Sequence, residues 1–264
     1  MSLQRLLISN LRNLSSVDIK PVSDLNIIYG DNGSGKSSLL EAIHIICRGT
    51  SFRTNAIKSV IQHNHKATTL FTELVCNDQI IPIGIERVAN GVGRIRIAGK
   101  NINKLAELLA LVPLQFIGPD LQKVLEQGPK SRRNLLDWGV FHVERQFYPT
   151  WIRYNKLLKQ RNAALRQHDS MDSITCWDKE IIRYAESLTQ LRIDYIEGIR
   201  PHLTKLSSEL LQIEDLEFGF NQGWSKSESL HSVIENSFHS DCKRGFTQYG
   251  PHRADLQFTL SGKS

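Results

Sequence analysis

The chain has 264 residues, 40% of them hydrophobic and 23% charged, and a formal net charge of +6 at pH 7. That length is enough for a real core and for one large or two small domains, and the balance is that of an ordinary globular protein, not a disordered or fibrous one. With no run of about 18 apolar residues to cross a membrane, and an N-terminal MSLQRLLISNL too short and interrupted for a signal peptide, a cytoplasmic protein without membrane contact is expected.

Residues 2–9 and 15–20 alternate apolar and polar, with Asn10–Leu14 as the turn of a hairpin. Residues 25–29 (LNIIY) read as a buried strand leading into Gly30–Ser37, GDNGSGKS. From Lys36, Leu39, Leu40, Ile43, Ile46 and Cys47 recur at helical spacing, and Gly49 is a natural C-cap. Three strands are expected over Thr68–Cys76, Gln79–Val88 and Arg94–Ala98, with turns at Asn77-Asp78 and Asn90-Gly91. A short helix over Asn103–Leu111 and a strand over Leu114–Ile117 precede the break at Gly118-Pro119. The pattern then becomes helical: Arg132–Val140, Pro149–Gln167 and Asp178–Leu211, the last bent or broken at Gly198 and Pro201. The polar stretch 168–175 makes a helical hairpin of the last two. Leu216–Phe220 and Arg253–Leu260 return to strand alternation. Cys47, Cys76, Cys176 and Cys242 are scattered without a C-x-x-C pair and read as reduced thiols.

GDNGSGKS fits the phosphate-binding loop G-x-x-x-x-G-K-[ST], in the strand–loop–helix setting that motif requires. Gly30, Gly33 and Gly35 let the backbone curl until its N–H groups face one concavity, shared by Asp31, Asn32, Ser34 and Ser38. The helix beginning at Lys36 points its positive end there. Lys36 can reach the β- and γ-phosphates, and the Ser37 hydroxyl can ligate Mg²⁺. ATP and Mg²⁺ are therefore the expected cofactors. Residues 130–166 hold nine Lys/Arg against Asp137 and Glu144 alone. That concentration is the footprint of a polyanion partner. Arg132, Arg133, Arg153, Lys156, Lys159, Arg161 and Arg166 are candidate DNA contacts, sequence-independent and salt-sensitive.

Five elements in order resemble the RecF family of bacterial DNA-repair ATPases, relatives of SMC heads and ABC ATPases. They are Ile8–Leu14 (ISNLRNL), the phosphate loop in its G-x-N-G-x-G-K-[ST] form, Arg48–Thr54 (RGTSFRT), Gly128–Asp137 (GPKSRRNLLD) and Tyr249–Leu256 (YGPHRADL). The fold class implied is α/β, a P-loop NTPase of the ABC/SMC-head type with a sheet-rich nucleotide lobe and an inserted helical lobe. The expected division is 1–128 for the nucleotide lobe, 129–213 for the basic helical lobe and 214–264 for strands returning to the first.

The resemblance also implies that Arg12 and Asn13 lie beside the nucleotide, that Arg53 projects toward phosphate or DNA, and that Gln115 senses Mg²⁺ and water. It implies single-stranded or gapped DNA, recombination mediator proteins and an ATP-dependent homodimer as partners, in DNA replication, repair of DNA damage and the SOS response. The family's signature run and Walker B acids have no counterpart before Ser264. The catalytic acid is therefore unassigned, and ATP binding without turnover is expected. Other P-loop readings are an ABC-type nucleotide-binding subunit, a small-molecule kinase, or a DNA-binding fragment whose loop only stabilises the fold. A GTPase lacks support because no N-K-x-D motif occurs.

Overall fold

The structure, a computed structural model, describes residues 2–90, 93–118, 126–212 and 216–260. The chain divides into two compact units, Met1–Ile117 and Gly118–Ser264. The division falls earlier than expected from the sequence, and the second unit takes in the late strands that the sequence reading assigned to the first. The expected features at Gly91, Pro119 and 261–264 lie outside the described residues.

In the first unit, β1 (Ser2–Leu11), β2 (Leu14–Ile19), β3 (Ala67–Cys76), β4 (Gln79–Val88), β5 (Arg94–Ile97) and β6 (Lys100–Asn101) form one sheet. Its order is β2-β1-β3-β4-β5-β6, and every neighbouring pair is antiparallel. Strand side chains alternate between faces. One face therefore buries Leu6, Ile8, Leu70, Leu74, Ile83 and Ile85. Against them pack Ala42, Ile45 and Ile46 of α1 (Lys36–Arg48) and Leu108 of α2 (Leu105–Leu111). The expected turn at Asn77-Asp78 has φ of 48° and 60°, the left-handed pair that a two-residue hairpin needs. Gly49 (φ 71°) caps α1, donating its N–H to Ile45 O at 2.7 Å.

Two expected strands are not strands. Leu25–Tyr29 has no ladder partner among the described residues, and Leu25, Ile27 and Tyr29 are 74%, 75% and 89% exposed. A central strand needs a neighbour to bond its backbone and cover its side chains. Here the segment is held at its start by a side-chain clasp: Asn26 Oδ1 accepts from Val22 N–H, and Asn26 Nδ2 donates to Val22 O. Leu114–Ile117 is likewise outside any ladder. Its anchors are an Arg48 guanidinium bond to Leu114 O and the Phe116 ring, stacked on Phe52 at 4.3 Å.

In the second unit, α3 (Pro129–Val143), α4 (Phe147–Gln167), the short α5 (Met171–Thr175), α6 (Asp178–Leu211) and α7 (Leu230–Arg244) accompany a two-stranded antiparallel ladder of β7 (Leu216–Asn221) and β8 (Asp255–Leu260). Leu136, Tyr154, Leu157, Ile181, Leu188, Ile234 and Leu256 form its core. α6 continues unbroken through Pro201 for 34 residues. Helix α3 packs so closely that a Cβ on Gly139 would lie 2.1 Å from the Tyr195 hydroxyl. Helix α7, absent from the sequence reading, begins at Ser229, whose side chain accepts the Ser232 N–H. Among the described residues no helix is long and apolar enough to cross a membrane.

Charged groups bind this unit together. Arg161 has no exposed surface and donates to Asp178, Asp241 and Thr247 at 2.7–2.8 Å. Arg192 grips Asp137 with two bonds and donates to Pro251 O. His252 Nε2 lies 3.0 Å from Thr247 O, which can only accept, so Nε2 carries the proton. Nδ1 then accepts from the Tyr154 hydroxyl at 2.7 Å.

Removing one partner of a buried ion pair leaves the other charge uncompensated. Asp241→Ala is expected to lower unfolding free energy by about 3 kcal/mol, read from urea midpoints. A loss under about 1 kcal/mol would mean that Asp178 alone satisfies Arg161. His252 supplies a pH signature. Burial pushes its pKa down from 6.5 to about 4. Unfolding restores the higher value, so protons favour the unfolded chain. The contribution is complete above about pH 6.5 and drains away as pH falls toward 4, at about 1.4 kcal/mol per pH unit. His252→Asn should flatten the urea midpoint between those limits. An unchanged slope would overturn the assignment.

Candidate nucleotide site and basic helix

The loop from Gly30 to Gly35 leads directly into α1. Gly30, Gly33 and Gly35 have φ of 141°, 84° and 103°, where a side chain would be strained. At Gly35 a Cβ would also lie 2.7 Å from a Leu14 methyl. Ser34 N–H closes the loop onto Asp31 O at 3.2 Å. No side chain caps α1, its first turn carries no acid, and its first closing bond is Leu39 N–H to Gly35 O. The amides before it form an electropositive helix end. They border a cavity of about 580 Å³ that Asn32, Gly33, Lys36, Ser37 and Ser38 line. Lys36 Nζ donates to Gly30 O and Asp31 O, at 2.6 and 2.8 Å.

The structure brings Arg12, Asn13 and Arg53 to the same cavity. Asn13 is a strut: its Nδ2 donates to Gly33 O at 2.7 Å, and its Oδ1 accepts from Ser38 Oγ at 2.7 Å. Arg12 sits in the β1–β2 turn with φ 53°. Its guanidinium forks onto Glu41 of α1, with Nε and Nη2 at 2.9 and 2.8 Å from the two carboxylate oxygens, and Nη1 donates to Ser59 O. Arg53 approaches Glu41 at 3.7 Å. Glu41 itself is fully buried. Burial alone would push its pKa up; bonds from Arg12 and Ser51 and the charge of Arg53 hold it below the usual carboxylate range. Among the described residues, none that lines the cavity carries a carboxylate.

Glu41 was not among the residues singled out from the sequence. Its signal was there: it shares one helical face with Ser38, Ala42 and Ile45, all buried, and a lone acid on a core-facing stripe calls for a cation. Gln115 is exposed and does not line the phosphate cavity.

The seven basic candidates divide. Arg161 is buried in its ion network and has no surface to offer DNA. Arg132 forks onto Asp255 with two 2.8 Å bonds, and Arg133 donates to Ala254 O at 2.5 Å. These three cations hold the second unit together; Arg161, with no exposed surface, leaves the set of DNA contacts, whereas Arg132 and Arg133 are half-buried. Arg153 is partly exposed and pairs with Glu180 at 2.9 Å. Lys156, Lys159 and Arg166 are exposed on α4, spaced by three and seven residues, which puts them on one face.

Residues 2–262 match the model of the RecF/RecN/SMC N terminal domain. The DNA replication and repair protein RecF of Pseudoalteromonas translucida is 43% identical, covering 100% of this chain and 73% of its own length. That of Shewanella halifaxensis is 40% identical, covering 98% and 71%. Among solved structures, the recombination mediator protein RecF-ATP of the RecFOR pathway superposes with a TM-score of 0.86 at 25% identity, over 100% of this chain and 74% of that one. A phosphate loop at the mouth of α1, the five ordered motifs and these matches lead to one conclusion: the chain belongs to the RecF family, among the proteins that share the RecF/RecN/SMC N terminal domain.

Proposed function

We propose that this protein binds ATP with Mg²⁺ at the Gly30–Ser38 loop and acts on DNA in replication and repair, as its RecF relatives are named for doing. The observation that carries the reading is the uncapped, acid-free N-terminus of α1 opening into a cavity lined by Lys36, Ser37 and Arg53. Amides and a helix end favour phosphate, and the cavity volume suits a nucleotide. Mg²⁺ would sit on the Ser37 hydroxyl, which lines the cavity, and on the phosphates. DNA phosphates would be met by Lys156, Lys159 and Arg166, with Arg153 beside them. Pairing of two copies around ATP, contact with recombination mediators and a part in the SOS response are what the family resemblance implies.

Titration with fluorescent ATP and Mg²⁺ tests the site. Lys36→Ala should weaken binding at least about tenfold, the loss expected for charge-assisted bonds to phosphate. Equal affinity in both would sink the nucleotide reading. For DNA, affinity for a single-stranded oligonucleotide is to be followed against salt. Replacing Lys156, Lys159 and Arg166 together by Ala should reduce the log–log slope by about 2. A slope identical to that of the unaltered chain would remove α4 from the interface.

A further inference from the structure

Glu41 carries more ligands than charge balance requires. One fully buried carboxylate faces two guanidinium groups and the Ser51 hydroxyl. The two arginines are held very differently. Arg12 is committed: Nε, Nη1 and Nη2 each donate to a fixed acceptor, and its side chain is 22% exposed. Arg53 is 46% exposed, and its Nη1 stands 3.7 Å from the carboxylate, beyond hydrogen-bond length. Both line the phosphate cavity. Ser51 fixes the backbone on which Arg53 is carried. Its Oγ donates to Glu41 and accepts the N–H groups of Arg53 and Thr54, at 2.9 and 3.2 Å.

We infer that Glu41 is a positioning residue for the nucleoside triphosphate: through Arg12 and Ser51 it fixes the cavity rim, and it tethers Arg53 loosely where the terminal phosphate can take that guanidinium over. A 3.7 Å ion pair gives way readily to a charge-assisted, forked bond to phosphate. The carboxylate keeps the cation over the cavity until then, so less side-chain freedom is lost on binding. The inference rests on the nucleotide reading above and concerns discrimination between triphosphate and diphosphate.

The test is a double-mutant cycle of Glu41→Gln and Arg53→Ala, with ATP and ADP titrated in parallel and thermal midpoints recorded. Each single variant is expected to lose about tenfold in ATP affinity, with ADP affinity changed less than about threefold. The double variant should bind ATP no more weakly than either single one, because both remove the same contact. A Glu41 that merely stabilised the fold would weaken ATP and ADP alike, and its effect would multiply with that of Arg53→Ala; that pattern overturns the inference. If Glu41→Gln does not fold, Arg53→Ala at its exposed position decides: an unchanged ATP-to-ADP ratio is equally fatal. Failure of the nucleotide reading itself would look different, as an unaltered chain whose ATP binding does not depend on Lys36.

Discussion

A charge taken out of water must be met by an opposite charge and by hydrogen bonds, and both units of this protein are organised round that requirement. In the first, the Glu41 carboxylate joins α1 to the β1–β2 turn through Arg12 and to the segment after α1 through Ser51. In the second, the Arg161 guanidinium joins α4 to α6, α7 and Thr247. Each buried ion meets partners from segments far apart in sequence. The apolar cores bring the elements together without direction, whereas the ions fix which elements meet and at what angle. The phosphate loop profits from this: Arg12 and Asn13, both in the β1–β2 turn, reach α1 and the loop from one side.

The two late motifs find their meaning in each other. Arg132 and Arg133 of the GPKSRRNLLD element bond to Asp255 and Ala254 O of the YGPHRADL element, across more than 120 residues. Asp137 of the first and Pro251 O of the second share Arg192. His252 closes onto Tyr154 of α4. Residues that look like a polyanion-binding cluster in one dimension are therefore a clamp in three. Lys156, Lys159 and Arg166 on α4 remain exposed beside that clamp.

Much of the first unit was legible. The sheet alternation, the left-handed Asn77-Asp78 turn, the Gly49 cap and the phosphate loop all rest on local rules, and local rules hold where the chain folds on its neighbours. The strand over Leu25–Tyr29 failed because an apolar run signals a wish for burial and says nothing about a partner. Arg161 failed because a helical charge pattern does not reveal which arginine faces Asp241, 80 residues on. Helix α7 was illegible for a related reason: its sequence, LHSVIENSFHSDCKR, is largely polar, with Leu230 and Ile234 anchoring it to one core and Phe238 and Cys242 to a smaller one. Glu41 lay between these cases, visible as an oddity on a buried face yet uninterpretable without Arg12 opposite.

The clamp between Arg132 and Asp255 has a consequence for the order of events during synthesis. A chain emerges from the ribosome N-terminal end first, at about 5–20 residues per second. The first unit has all its own contacts once Ile117 is out. The second holds Arg132, Arg133 and Arg192 without their partners until residues 251–255 appear. For a time on the order of seconds its helices stand as an open set, their cations solvated and their core unsealed. Residues 251–255 are thus the ones that lock the second unit, and a ribosome pause after Leu211 would prolong its most exposed state.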